Sequence, residues 1–125
     1  WGVGHLTVIS EKVGGVVGLE PWRPADWDAR CGFGSAPVAD PAAHPAPEEA
    51  LAALRDAQER LTRAVRAVPD AALDAPFPDP DYLNVFPTVR HALTQVLVGH
   101  TSYHVGQVGV WRTARGRPSI GRAFE

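Results

Sequence analysis

The chain has 125 residues, enough for one domain around one hydrophobic core. Its 45% hydrophobic content is ordinary for a globular protein, and no apolar run reaches the roughly 18 residues that a membrane span needs. A formal charge of −2, with no cluster of Lys and Arg, argues against nucleic acid or a membrane as the partner.

Three helical segments are predicted, over about residues 1–18, 47–68 and 87–115, in a single domain covering residues 1–125. In the first, His5, Ile9, Val13 and Val16 recur at spacings of four, four and three, which places them on one helical face. Leu6 and Val17 widen that face. Gly14 and Gly15 each weaken the helix by roughly 1 kcal/mol relative to Ala, as at a fraying end or a close contact, and Pro21 stops it. The sequence opens on Trp1 rather than Met, without a signal-peptide pattern. The expectation is a cytoplasmic protein with sequence missing upstream.

Residues 21–47 hold Pro21, Pro24, Pro37, Pro41, Pro45 and Pro47 with Gly32 and Gly34, and no long helix can cross them. A short helical turn is expected over residues 25–30. Trp22 and Trp27 are large apolar groups that should fold back as an ordered cover on the bundle. Cys31 is the only cysteine, so no internal disulfide staples the fold. Its stretch, Cys31-Gly32-Phe33-Gly34-Ser35, puts no base beside the thiol, and Cys31 reads as a small apolar filler or an exposed loop thiol rather than a nucleophile.

The second long helix is expected to start at Pro47, with Glu48 and Glu49 at the positive end of its dipole. Leu51, Leu54, Gln58, Leu61, Val65 and Val68 form a bundle-type seam with one polar insertion. Arg63 and Arg66 suit its C-terminal end, and Pro69 ends it. In the following connection Asp79 and Asp81 alternate with prolines and read as solvated loop acids. The third helix opens on Pro87 and stops at Gly116 and Pro118. Val89, Leu93, Val96, His100, His104, Gln107 and Trp111 form one stripe, with polar residues in the middle of an apolar face.

That placement gives the histidines their interest. His100 and His104 are one helical turn apart, with Cβ atoms roughly 5–6 Å from each other, so both imidazoles can turn toward one ion. On a buried stripe each must find a hydrogen-bond partner or a metal. His5 lies on the apolar face of the first helix and makes a third. Three imidazoles from two antiparallel helices would leave coordination positions open for water or substrate. His91 should point away from His100, and His44 lies in the Pro-rich loop; both read as surface residues. Gln107 and Tyr103 are candidate neighbours of a metal-bound group.

Trp1-Gly2-Val3-Gly4-His5-Leu6 resembles the Trp-x-x-Gly-His-Leu opening of a helix in the DinB-like superfamily. Phe86 to Leu93, followed by Gly99-His100-Thr101-Ser102-Tyr103-His104-Val105-Gly106-Gln107, is similar to its last long helix, with the H-x-x-x-H-x-x-Q core intact. The resemblance implies an all-α, up-down four-helix bundle, of which the first helix is absent from this sequence. It implies a Zn or Ni ion on His5, His100 and His104, and often a homodimer. It also implies activity on a small molecule, as a transferase of a low-molecular-weight thiol cosubstrate or as a hydrolase. Two other readings remain open: a stress-response module that the metal only stabilises, and a metal-free helical dimerisation domain.

Overall fold

The computed structural model describes residues 1–23 and 26–121. Its helices are α1 (Gly2–Val16), α2 (Asp26–Cys31), α3 (Pro47–Ala67), α4 (Asp70–Leu73), α5 (Val89–Thr94) and α6 (Thr101–Ala114). A six-residue π-helical segment, Gln95–His100, joins α5 to α6. No strand forms among the described residues, and the fold is all-α. No described helix is long and apolar enough to cross a membrane.

Local chemistry sets the helix ends. Gly18 takes a positive φ of 84°, which reverses the chain after α1. The Leu19 N–H then donates to the Gly14 carbonyl at 3.0 Å. The Leu19 side chain fills the place where a Gly14 Cβ would stand, so this glycine marks a close contact. Pro47 sits in the first turn of α3 with Glu48 and Glu49, and Arg66 in its last turn. Asp79, expected as a loop acid, caps a 3₁₀ turn at Pro80–Tyr82 by accepting from the Asp81 N–H.

The long connection over residues 17–46 lets α3 run in the same direction as α1. Ala53 packs near Val8 and Trp1, Gln58 Nε2 donates to Ser10 Oγ at 3.1 Å, and Leu61 and Val65 share a cluster with Ile9, Val13 and Val17. The final helix lies antiparallel to α1: His100 and His104 are level with His5, while Leu93 and Val96 join the cluster of Val13 and Val16. The directions therefore read up, up, down rather than alternating.

Both tryptophans of the connection return to the bundle. Trp27 is buried with Val8 and Cys31, and Trp22 lies 5.3 Å beneath the Arg60 guanidinium. The helical turn expected over residues 25–30 is α2, with Ala25 outside the described residues. Two expectations about packing need correction. In α3 the expected seam is buried or half-buried at Leu54, Gln58, Leu61, Val65 and Val68, with Ala50 and Ala57 buried as well, but Leu51 is 47% exposed. The stripe on the last helix is buried at Val89, Leu93 and Val96 and half-buried at His100 and His104, but Gln107 and Trp111 are exposed. The reason is length. Trp1 meets His104, so residues 105–114 run about 15 Å past the start of α1, with no described helix opposite them.

Candidate metal centre

His5 is placed by the turn that follows α2. Gly4, the residue before it, has no side chain, and a Cβ there would lie 2.8 Å from Cys31 Sγ. The absent Cβ lets fully buried Cys31 press against α1. Its carbonyl then accepts from His5 Nδ1 at 2.7 Å. A carbonyl has no proton to give, so Nδ1 carries the hydrogen and the Nε2 lone pair of His5 is free. Trp1 covers one face of the ring, stacked at 4.6 Å between centroids and 10° between planes.

His100 closes the π-helical segment, and His104 follows one α-turn later. The sequence predicts an uninterrupted α-helix here; the wider turn at Gln95–His100 is a departure from it. At Gly99 a Cβ would stand 2.4 Å from Gln95 Oε1, so the Gln95 carboxamide lies over the bare backbone of this turn. The Nε2 atoms of His100 and His104 are 3.2 Å apart. Each of these rings meets His5 edge to face, at 5.1 and 5.2 Å between centroids.

One ligand nitrogen from each of His5, His100 and His104 lies within 4.8 Å of the others. Nitrogens bound to one ion at about 2.0–2.1 Å, and roughly 90–110° apart, stand about 2.9–3.4 Å from each other. The His100–His104 spacing falls inside that range. Among the described residues His100 Nδ1, the ring nitrogen on the other side from His104, is buried without a hydrogen-bond partner, so no hydrogen bond to protein fixes the ring's tautomer through Nδ1. The donor set therefore fits a divalent ion of the imidazole-loving kind.

Electrostatics agree with that fit. Burial pushes the His100 pKa down to about 4, with the neighbouring charges of His104 and then His5 adding to it. Burial also lowers His5, against the raising effect of its bond to the Cys31 carbonyl. Both rings are neutral near pH 7, the form that binds metal.

Other expected residues lie elsewhere. His91 is exposed and bonds through Nδ1 to Thr88 Oγ1 at 2.8 Å. His44 holds the Val38 carbonyl at 3.0 Å. Tyr103 packs its ring edge-on against His104 but is 61% exposed. Gln107, three residues after His104, is exposed. Sequence reasoning missed Trp1, Gly4 and the Cys31 carbonyl. The Gly-His pair was the available signal, since a glycine before a buried polar residue permits close backbone approach.

The family model described as the DinB superfamily matches residues 1–108. The chain belongs to the DinB superfamily. The matched span contains all three clustered histidines as well as Trp1, Gly4 and Cys31. No curated protein and no solved structure matches the chain. Membership in the DinB superfamily and the histidine cluster together describe a protein equipped to bind a metal.

Proposed function

We propose that this DinB-superfamily protein binds one divalent ion, zinc or nickel, through His5, His100 and His104, and uses it to act on a small molecule. The reaction we favour is transfer of a low-molecular-weight thiol, with hydrolysis as the close relative. The observation that carries the reading is the convergence of three ligand nitrogens within 4.8 Å. A bound divalent ion would lower the pKa of a water or thiol in an open position, supplying a nucleophile near neutral pH.

The chain's own residues have separate tasks in this reading. The Cys31 carbonyl fixes the tautomer of His5. Trp1 shields one face of His5 and meets His104 edge-on at 6.2 Å between centroids. Tyr103 also packs against His104, at 5.3 Å between centroids, and its exposed ring can contact a substrate. The exposed apolar residues Val105, Val108 and Trp111 support a homodimer that covers the end of α6.

Elemental analysis of protein purified without an affinity tag tests the proposal. We expect about one ion per wild-type chain and a stoichiometry near zero in His104→Ala. Wild-type protein without metal, or His104→Ala with full metal, would contradict it. Turnover of small-thiol adducts by the loaded protein separates the enzyme from the structural site.

A further inference from the structure

Among the three histidines, His5 alone takes its orientation from a loop. His100 and His104 stand on one continuous helix and fix their own spacing. The Nδ1 edge of the His5 ring meets the Cys31 carbonyl, with the Gly32 backbone of the same turn acting on it as well. Contacts along one edge still leave the ring plane free to tilt about that edge. The second constraint is the flat face of Trp1. The indole is itself tied down: Trp1 Nε1 donates to Ser35 Oγ at 3.0 Å. Ser35 in turn donates to the Gly32 carbonyl at 2.7 Å, which fixes the direction of its hydroxyl. Gly34, with φ of 81°, reverses the chain so that Ser35 returns to this position. One turn over residues 31–35 thus holds His5 twice, at its edge directly and at its face through Trp1.

We propose that Ser35 and Trp1 are positioning residues of the metal centre: Ser35 orients the indole, and the indole holds the His5 plane so that Nε2 faces His100 and His104. The inference rests on the metal-binding reading above and deepens it. Nothing in it requires Ser35 or Trp1 to touch the ion.

The test is a zinc titration, with a competing chelator, of wild type, Ser35→Ala, Ser35→Thr, Trp1→Phe and the Ser35→Ala/Trp1→Phe double variant. Removing such a supporting contact should weaken zinc binding by about tenfold. Ser35→Thr, which keeps the hydroxyl, should bind within about twofold to threefold of wild type. The double variant should bind no more weakly than the worse single one, because both break the same bond. The metal-free melting temperature of Ser35→Ala should stay close to that of wild type, which a general loss of packing would not allow. Wild-type zinc affinity in Ser35→Ala would overturn the inference. If wild type binds no zinc, the metal reading itself fails, and imidazole proton spectra of the metal-free protein decide the clamp. Ring-current shifts of the His5 ring protons under the stacked Trp1 indole in wild type, lost in Ser35→Ala while Nδ1–H is retained, support it. Identical spectra refute it.

Discussion

The two ends of the α1 interface are built on opposite principles. At one end Leu61, Leu73, Val89, Leu93 and Val96 close against Ile9, Val13, Val16 and Val17, a wholly apolar cluster. At the other, the small cluster of Val8, Trp27 and Cys31 adjoins three imidazoles and a tight turn. The apolar end derives its stability from area removed from water, in proportion to what it buries. The histidine end derives its geometry from directional contacts: the Cys31 carbonyl, the Trp1 face and the bare Gly4 backbone. It holds polar rings in a partly dry setting, and that arrangement is weakly stabilising until something binds the free nitrogens. The lesson is a division of labour along one helix. The C-terminal half of α1 secures the fold, and its N-terminal half presents a ligand.

That contrast can be broken most strongly at the apolar end. Leu61 is fully buried, and Leu61→Ala should cost about 2–5 kcal/mol, read as a lower denaturant midpoint. Its folded fraction should still bind one metal ion. Loss of metal stoichiometry with the fold intact would show that the two ends are not separable. At the histidine end, Gly4→Ala forces a Cβ toward Cys31 Sγ and should cost about 1–3 kcal/mol. Unlike Leu61→Ala, it should also weaken metal binding, by displacing the Cys31 carbonyl from His5. Equal metal affinity in both variants would remove the distinction.

A gentler probe is acid. His100 has its pKa lowered from 6.5 to about 4 in the folded protein, and His5 shifts in the same direction. The unfolded chain therefore takes up protons below about pH 6.5 that the folded chain declines. Metal-free stability should be at its plateau above that pH and fall as the pH drops toward 4. His100→Gln should flatten the slope across this window, as followed by thermal melting. A slope unchanged in that variant would mean that His100 is not the group responsible.

Much of this was legible in the sequence. The spacing of His100 and His104, and the position of His5 on an apolar face, predict a shared point, and the structure brings the three together. The apolar stripe through Val89, Leu93 and Val96 is likewise visible as a period near 3.6. What periodicity could not supply is where the stripe stops being covered. Trp111 is 53% exposed because no described helix lies opposite it, a fact of tertiary length rather than of pattern. The π-helical turn escaped for a related reason, since one widened turn barely disturbs a heptad-like spacing. Leu51 turns outward at 47% exposure while the neighbouring Ala50 is buried at 7%, a one-position offset at the start of α3 that a three-four alternation does not resolve. The clamp on His5 was hidden because it runs through a backbone carbonyl 26 positions from His5 and through Ser35, 34 positions from Trp1, contacts that no local pattern encodes.

X-ray absorption at the metal edge of the zinc-loaded protein tests the central claim most directly. Three imidazole nitrogens at about 2.0–2.1 Å, completed by light oxygen or nitrogen ligands, are the predicted signature. Fewer than three imidazoles, or a sulfur at about 2.3 Å, would contradict a centre built from His5, His100 and His104.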